Sequence, residues 1–441
     1  MSGMADDILA FVMAGGIGGR LRPLTDERAK PAVPFGGIYR IIDFPLSNCI
    51  NSDVRRIYVL TQYKSHSLSK HLKSGWNFLS RRLDQFIEEV PAQMQLGQHW
   101  YQGTADAIRQ NMHLVQETNP RHVLVLPGDH IYKMDYRLMR DFHVERNATL
   151  TIAAVRLKAS EARGRYGVIE VDKYWRVISF EEKPDDPKTI PNSTDCLASM
   201  GVYLFETSHL ASLVNVKVDQ EVDDLSEHLI PRMVASQIPV FAYDFAVNNS
   251  IEDYEYTMCD GLRERHLVRM TSDAGYWRDV GTIEALWNAN LDLVATRPSF
   301  NLYGQKWPIF NDVPHFPPAK FVHELPDRTG QAHNSIVSDG VILSGCLVRN
   351  SILSPGVYVH SYSLIDRSIL FGGTITGGLL TETAVGRNCR IKNAIVDKNV
   401  KISAGTTIGY SKEDDEARGL TVSPIAGGAD YIVVVPRGKQ L

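Results

Sequence analysis

Two patterns of apolar and polar positions divide the chain. From residue 8 to about residue 290, short apolar runs rich in β-branched residues alternate with longer amphipathic stretches. The runs cover residues 8–14, 55–62, 122–129, 150–157 and 201–206. Strand-like runs separated by helical patterns predict an α/β fold, with a Rossmann-like, mostly parallel sheet and helices on both faces. Because such sheets bind ligands beyond the carboxyl ends of their strands, the turns at Gly15–Arg20 and Gly128–His130 are candidate site segments.

The second pattern begins after residue 330, where branched aliphatic residues recur six positions apart. They are Ile336, Ile342 and Val348, then Val359 and Ile365, then Val385 and Ile391, and finally Val396, Ile402 and Ile408. Small and polar residues fill most of the positions between them, which is typical of a parallel β-helix. A stack of ordinary short strands is the alternative. The register slips near residues 350–358 and 370–382, and we interpret both places as loops or turns.

A proline-rich stretch separates the two patterns. Six prolines with aromatic residues between them fall in residues 298–326, which favours an extended, packed connector. We therefore predict an α/β domain over residues 1–297, a connector over 298–330 and a β-helix over 331–441.

The amino-acid composition limits which binding partners and which cellular compartment we expect for the protein. The net charge of −4 provides no global basic field for nucleic acid or an anionic membrane. The five cysteines contain no CxxC pair, which argues against a zinc site or a disulfide framework and fits a reducing compartment. The first residues are acidic, and no apolar run reaches 18 residues. We expect a cytoplasmic protein.

The glycine-rich turn after the first strand, GGIGGRLRPLTDERAKP, is the first candidate binding segment. It is neither a Walker A loop nor a dinucleotide fingerprint, since Leu21 occupies the sixth position of G-x-G-x-x-G. Its glycines allow backbone N–H groups to approach an anion, and Arg20 and Lys30 add positive charge. An ordinary strand-to-helix turn with solvated charges is the alternative.

Three further features are weaker individually. Gly103 to Asp106 has the composition of a capped helix start. Asp129 directly follows an apolar run and, together with Asp279, forms a possible metal pair if the fold brings the two together. Lys183 could meet a phosphate or simply be a surface lysine. No GxSxG elbow and no HxxxH or HExxH spacing is present, so hydrolase and metalloprotease interpretations have no support.

The order of the motifs identifies a family. GGIGGRLRPLTDERAKP resembles the signature of the sugar-1-phosphate nucleotidyltransferases. The segments PAVPFGGIYRIIDFPLSN, LTQYKSHSLSKHL, WYQGTADA, GDHIYKMDY, EKP, ASMGVYLF, YWRDVGT and PPAKFV are similar to the branch that adenylylates glucose 1-phosphate. The resemblance extends from about residue 8 to residue 435. It implies a C-terminal β-helix of the left-handed kind, a reaction of ATP with glucose 1-phosphate for glycogen or starch synthesis, Mg²⁺, regulation by phosphorylated metabolites and a homotetramer.

The resemblance also implies a role for individual residues. Catalytic roles fall to Arg20, Lys30, Asp129 and Asp279, of which the two aspartates are the metal ligands. ATP-binding roles fall to Gly15, Gly16, Gly18, Gly19, Arg20, Gln62, Gly103, Thr104 and Asp106. Glucose 1-phosphate would contact Tyr101, Glu182, Lys183, Ser199, Tyr203, Asp224 and Trp277.

Two segments depart from the family pattern. Of the family's DFGKD, only Asp224 is kept in the segment Asp224–His228. In the effector region Glu27 and Pro34 replace a lysine and a histidine, whereas Arg28 and Arg40 remain. We therefore predict an altered range of activators, with anions held by Arg28 and Arg40 near the β-helix.

Three other functions remain open from the sequence. A uridylyl- or thymidylyltransferase shares the fold, although Asp106 favours adenine. A regulatory subunit without activity would lack the catalytic cations or aspartates. An acyltransferase working through the β-helix would rely on His333 and His360, for which solvated histidines are the simpler interpretation.

Overall fold

The computed structural model describes residues 7–95, 98–214, 223–270, 275–312, 315–376 and 379–441. Its α/β part is built on one nine-stranded sheet. Seven strands follow one another across this sheet: Val177–Glu181, Val168–Val171, Asp195–Glu206, His122–Pro127, Ile8–Ala14, Arg56–Thr61 and Phe86–Pro91. Leu150–Lys158 pairs with Asp195–Glu206 and, in parallel, with Val240–Asp244. The last four strands of the path run parallel, and Asp195–Glu206 runs antiparallel to its neighbours.

Helices cover both faces of this sheet. The first strand shows why, because Ile8, Ala10 and Val12 pack into one apolar cluster while Leu9 and Phe11 pack into another. A strand buried on both faces needs apolar residues throughout. The α-helices are Asp43–Asn51, His66–Gly75, Thr104–Gln110, Met112–Thr118, Tyr136–Glu145, Ala159–Ala162, Thr207–Val214, Ile230–Ala235, Phe245–Asn248, Ile283–Asp292 and Lys412–Ala417. A π-helix, Leu225–Leu229, and three short 3₁₀ turns, Gly19–Leu21, Lys30–Ala32 and Arg81–Leu83, complete the helical elements of the described chain.

The C-terminal part is the expected left-handed parallel β-helix, with three sheets for its three sides. The first side contains Lys320–Val322, Ile342–Ser344, Val357–Val359, Thr383–Val385 and Lys401–Ile402. The second contains Gln331–His333, Leu347–Arg349, Leu364–Asp366, Arg390–Lys392 and Thr407–Ile408. The third contains Ile336–Val337, Ile352–Leu353, Ile369–Leu370, Ala394–Val396, Tyr431–Val435 and Thr421–Pro424. The predicted α/β fold followed by a β-helix is confirmed.

Coil length explains the slips in the six-residue register. Ile342 pairs with Tyr358, sixteen residues on, and Val348 pairs with Ile365, seventeen residues on. A coil shorter than three hexapeptides shifts the register without interrupting the strands. The predicted loops or turns at residues 350–358 are only partly present, since the range holds a turn at Pro355 and Gly356 but also Ile352–Leu353 and the start of Val357–Val359. Residues 370–382 hold an extra antiparallel pair, Thr374–Thr376 with Leu379–Thr381.

Four small antiparallel pairs complete the described strands. They are Pro34–Phe35 with Tyr39–Arg40, His130–Tyr132 with Trp277–Asp279, Ile251–Cys259 with Leu262–Met270, and Glu324–Leu325 with Arg328–Thr329. Among the described residues, no helix is both long and apolar enough to cross a membrane.

The two parts of the chain share a continuous apolar cluster. Phe35 and Trp287 of the α/β part and Ile352, Ile395 and Val434 of the β-helix belong to it. The Trp287 indole N–H also donates to the Arg367 carbonyl at 2.9 Å. The first β-helix strand begins at residue 320, inside the stretch assigned to the connector, and the domain boundaries stay a prediction.

Candidate active site

A cavity of about 370 Å³ opens at the carboxyl end of the first strand. Its walls come from the glycine turn, the strand carrying Leu60, the start of helix Thr104–Gln110 and the end of the His122–Pro127 strand. The lining residues are Met13, Gly15, Gly16, Leu60, Gln62, Tyr101, Gln102, Gly103, Thr104, Ala107, Pro127, Asp129 and Asp224. This is the edge of the sheet at which the sequence places ligand binding.

A second cavity of similar volume adjoins the first along the glycine turn. It is lined by Met13, Gly16, Gly18, Gly19, Arg20, Lys30, Pro31, Asp129 and Gly281. Gly18 has φ +65°, and a Cβ there would lie 3.1 Å from the Lys30 Cβ. The Thr25 hydroxyl donates to the Gly18 carbonyl at 2.8 Å and fixes the turn. Glycine is therefore required at this position both for its backbone conformation and for close packing.

Lys30 joins the two aspartates that the sequence proposed as a pair. Its ammonium lies 2.7 Å from Asp129 Oδ2 and 2.9 Å from Asp279 Oδ1. Asp129 follows the His122–Pro127 strand, and Asp279 is in register with His130 in the short antiparallel pair. Residues 99 to 249 positions apart in the chain thus meet at one point, as the predicted metal pair requires.

Charge balance at this point favours the ionised forms of Lys30 and Asp129. Burial by itself would raise the pKa of Asp129, but Lys30 and His130 outweigh it, and that pKa falls to about 2. Burial would likewise lower the pKa of Lys30, whereas Asp129 and Asp279 raise it above its ordinary value. At neutral pH the Lys30 ammonium therefore lies beside the Asp129 carboxylate.

The donor set fits a hard divalent cation. One ligand atom each from Asp129, His130 and Asp279 lies within 4.8 Å of the others. Mg²⁺ binds in proteins through one or two carboxylates and completes its coordination with water and substrate phosphate oxygens. The partly exposed Asp129 side chain, at 31%, leaves room for those further ligands.

Residues expected around the sugar lie along the same edge. Asp224 lines the first cavity and accepts hydrogen bonds from Thr104 Oγ1 at 3.0 Å and Ser226 N at 2.8 Å. Lys183 pairs with Glu182 at 2.9 Å and lies 3.8 Å from Glu227.

A chain of aromatic rings connects this group to the aspartates. The Trp277 ring packs edge-on against His130 and Tyr166, and the Tyr166 carbonyl accepts from Lys183 N at 3.2 Å. Ser199 Oγ and Tyr203 OH lie 3.3 Å apart in the Asp195–Glu206 strand, whose register shifts between these two residues.

Asp106 is the predicted ATP contact that does not line either cavity. Its fully buried carboxylate accepts from Gln102 N at 3.0 Å, Gln110 Nε2 at 2.8 Å and Arg109 Nη2 at 2.6 Å. These bonds hold the backbone of the turn that forms the cavity wall, so any influence of Asp106 on the base is indirect.

His130 is the site residue that sequence reasoning did not single out. Its Nε2 lies 3.7 Å from Asp129 Oδ1 and 3.9 Å from Asp279 Oδ1, and its Nδ1 has no hydrogen-bond partner among the described residues. Its position directly after Asp129 in GDH was the available signal. The cavity wall also contains residues that have no sequence signal beyond their apolar or polar pattern, namely Met13, Leu60, Gln102 and Pro127.

The two arginines proposed for effectors lie at the boundary with the β-helix. Arg28 is buried, and its Nη2 donates to both oxygens of Asp397 at 2.9 and 3.0 Å. Arg40 Nη1 donates to the carbonyl and the hydroxyl of Ser67, and Arg40 lines a cavity of about 110 Å³ together with Lys398. Glu27 pairs with Arg437 at 3.0 Å.

Family models match both parts of the chain. The family model described as Nucleotidyl transferase matches residues 9–296, and one described as GlmU-like, C-terminal hexapeptide matches residues 317–427. Glucose-1-phosphate adenylyltransferase from Alteromonas mediterranea is 44% identical over 96% of this chain and 91% of its own length. The enzyme of the same name from Deinococcus radiodurans is 44% identical over 99% of both chains. Glucose-1-phosphate adenylyltransferase 2 from Pseudoalteromonas atlantica is 43% identical over 96% of this chain and 94% of its own.

These matches span both the α/β part and the β-helix, so they concern the whole architecture and not one shared domain. The chain belongs to the glucose-1-phosphate adenylyltransferase family of nucleotidyl transferases.

Proposed function

We propose that the protein transfers the adenylyl group of ATP to α-D-glucose 1-phosphate and produces ADP-glucose and pyrophosphate. The observation that carries this proposal is the Asp129–Lys30–Asp279 cluster where two cavities meet, in a chain whose relatives bear this enzyme name. One phosphate oxygen of glucose 1-phosphate attacks the α-phosphorus, and the bond from that phosphorus to the bridging oxygen of pyrophosphate breaks. The chemistry needs no covalent intermediate with the protein, so positioning and charge stabilisation lower the barrier.

The glycine turn is the proposed triphosphate site. Gly16, Gly18, Gly19 and the exposed Arg20 line the second cavity, where backbone N–H groups and the guanidinium would offset phosphate charge. Lys30 is held by its two carboxylates and would stabilise charge that develops on the departing pyrophosphate.

Nucleotidyl transferases generally use a divalent metal ion, and we propose Mg²⁺. Asp129 and Asp279 would hold it, and the ion would neutralise phosphate charge and orient the reacting groups. His130 lies beside both aspartates, with Nε2 3.7 Å from Asp129 Oδ1 and 3.9 Å from Asp279 Oδ1.

The first cavity is the proposed nucleoside site. Gln62, Gly103 and Thr104 line it and would contact adenine and ribose. Tyr101 and Asp224 line the same cavity and would contact the sugar. The other proposed sugar contacts are Glu182, Lys183, Ser199, Tyr203 and Trp277. In this assignment Lys183 meets the sugar phosphate, because its ammonium is half exposed.

Regulation by phosphorylated metabolites belongs to the same proposal. Arg40 and Lys398 line one small cavity, and Arg28 lies beside them. Positive charge concentrated between the two parts of the chain is suited to a phosphorylated effector. A homotetramer, a cytoplasmic location and a role in glycogen synthesis accompany the assignment as proposals.

The nucleotide specificity is tested by pyrophosphate release. The purified protein is assayed with glucose 1-phosphate and Mg²⁺ in the presence of ATP, UTP, dTTP or GTP in turn. We expect release with ATP to exceed release with the other three. Equal or greater release with UTP or dTTP would replace the adenylyl assignment by one of the alternatives from the sequence.

The metal pair is tested by Asp129→Asn and Asp279→Asn. Both variants should lose nearly all turnover, whereas Asp186→Asn, at an exposed position, should retain it. If both variants keep wild-type kcat and Mg²⁺ dependence, the pair is not the metal site.

A further inference from the structure

Two buried histidines and a glutamate meet at the amino edge of the central sheet, on the side away from the candidate active site. His122 begins the strand that leads to Asp129, about 20 Å along the sheet. Glu206 ends the antiparallel neighbour and is in register with His122. His143 lies on helix Tyr136–Glu145, which packs over this edge. Two strands and one helix thus place three possible metal ligands close to one another.

The donor atoms are already close to one another. One ligand atom from each of the three side chains lies within 4.8 Å of the other two, and His122 Nε2 is 3.3 Å from Glu206 Oε2. The two imidazole rings stand perpendicular with their centres 5.2 Å apart. An ion bound at about 2.0–2.1 Å from three donor atoms needs those atoms about 3.5 Å apart. Modest movement of the side chains would bring the three donor atoms to that separation.

Two ring nitrogens in this cluster lack partners. Both histidines are 1% exposed, and neither His143 Nε2 nor His122 Nδ1 has a hydrogen-bond partner within the described parts of the chain. Buried polar atoms are rarely left unpaired, and each such case needs an explanation. A metal ion bound to His143 Nε2 would explain why that atom has no partner among the described residues.

The neighbours of the rings suit metal ligands. The other nitrogen of His143, Nδ1, lies 2.8 Å from Thr151 Oγ1, and a proton on Nδ1 leaves the Nε2 lone pair free to bind. His122 Nδ1 lies 3.6 Å from Asp7 Oδ2, close to a carboxylate–histidine–metal arrangement.

We propose that His122, His143 and Glu206 bind a divalent transition-metal ion of the zinc class, at a site separate from the magnesium site. Two imidazoles and one carboxylate suit Zn²⁺ and its first-row neighbours, whereas Mg²⁺ prefers oxygen donors alone. The Glu206 side chain is one-third exposed and provides an entry path and room for a water ligand. The ion would tie helix Tyr136–Glu145 to the sheet, and this role does not depend on the proposed reaction.

A second set of possible donors provides a control. Cys259, Glu264 and His266 also approach within 4.8 Å of one another, on the hairpin Ile251–Cys259 and Leu262–Met270. All three are exposed, and none has a buried orphan atom among the described residues. We expect ions to prefer the buried set.

Co²⁺ binding to the full-length protein tests the proposal. Protein stripped with EDTA and dialysed into excess Mg²⁺, which occupies the active site, is titrated with Co²⁺ and followed by visible d–d absorption and metal analysis. We expect one Co²⁺ per chain, displaced by Zn²⁺. His122→Gln and His143→Gln should each weaken binding more than about 10-fold, and His266→Gln and Asp129→Asn should leave it unchanged. Absence of binding, or binding unaffected by both substitutions at His122 and His143, would overturn the proposal.

Thermal unfolding provides a second readout that does not need the buried substitutions to fold well. Glu206→Gln changes a partly exposed side chain and keeps its volume. Zn²⁺ should raise the Tm of the wild type by a few degrees and that of Glu206→Gln by much less. An equal shift in both proteins would contradict ligation by Glu206.

Discussion

Lys30 determines the charge balance of the candidate active site. Its side chain is 10% exposed, and it contacts one carboxylate from the end of a central strand and another from a segment about 250 residues along the chain. A buried ammonium between two carboxylates is stable only while both partners remain charged. At the same time it faces the cavity that the glycine turn borders, where phosphate charge would change during the reaction.

Lys30→Gln should therefore damage catalysis more than binding. The amide keeps most of the volume but removes the charge, so we expect kcat to fall by about 10²- to 10³-fold with a smaller change in KM. Steady-state kinetics with ATP and glucose 1-phosphate measure this. Lys70→Gln, at an exposed position, is the matched control. An equal fall in both variants, or a change confined to KM, would contradict the assignment.

At the scale of elements, the wall of the nucleoside cavity depends on two helix starts that touch. Ala105 N and Asp106 N both donate to the Asp223 carbonyl, at 2.8 and 3.0 Å. Thr104 Oγ1 bonds to Asp224, whose carboxylate also caps the π-helix Leu225–Leu229. This contact explains how Asp224 keeps its place although its four neighbours differ from the family pattern.

Gly103→Ala tests this contact between the two helix starts. A Cβ on Gly103 would press on the Asp223 carbonyl oxygen and lie 2.6 Å from its carbon, so the backbone has to move. We expect kcat/KM for ATP to fall at least about 10-fold, with a loss of roughly 1–3 kcal/mol in the free energy of unfolding. Gly428→Ala, where a Cβ meets no atom closer than 3.8 Å, should change neither quantity. Unchanged kinetics in Gly103→Ala would show that this wall does not form the nucleotide site.

At the scale of the whole molecule, a buried ion pair joins the catalytic part to the β-helix. The side chains of Arg28 and Asp397 are only 4% and 2% exposed. Such a pair adds little stability compared with apolar residues, but removal of one partner leaves a buried charge. The pair therefore penalises any arrangement that separates the two parts.

Asp397→Asn should lower the free energy of unfolding by about 3 kcal/mol, because Arg28 stays buried without its counter-charge. Urea-induced unfolding measures the loss. Glu88→Gln removes the exposed partner of Arg81 and should cause no measurable change. The double variant Arg28→Met/Asp397→Leu should recover most of the stability, and failure to do so would show that the pair itself stabilises the interface.

Lys398 gives the same interface a pH dependence. Burial, together with the positive charges of Arg40 and Arg28, lowers the pKa of Lys398 to about 7, and Asp397 offsets only part of this decrease. The side chain is therefore largely neutral above pH 7 and charged below it. Because this pKa lies below its ordinary value, deprotonation favours the folded state, and this group stabilises the fold progressively as the pH rises above 7.

The affinity of this interface for anions should fall as the pH rises, whereas the stability of the fold increases. Sulfate, whose charge is constant over this range, should bind up to about 5-fold more tightly at pH 7 than at pH 8, because its binding recharges Lys398. Isothermal titration calorimetry measures the affinity. Lys398→Met should bind sulfate weakly and with little pH dependence, whereas Lys401→Met, at an exposed position, should resemble the wild type. The same pH dependence in Lys398→Met would assign it to another group.

Local pattern and motif order were sufficient for the fold and the family. Alternating and six-residue periods report directly which side chains are buried, so the α/β part and the β-helix were predictable, and the comparisons confirm a nucleotidyl transferase. The roles of individual site residues stay predictions. Coil length was not readable from the hexapeptide period, because a coil that loses one or two residues at a turn keeps its strands but shifts their register.

The tertiary structure decided what depends on distance between remote segments. Neither the two contacts of Lys30 with Asp129 and Asp279 nor the burial of Asp106 away from the cavity follows from local pattern. The pairing of Arg28 with Asp397 and the meeting of His122, His143 and Glu206 are likewise set by strand register and helix packing across the whole sheet. The sequence shows which groups are present and which are buried. Only the folded chain determines which of these groups form an ion pair or could bind one metal ion together.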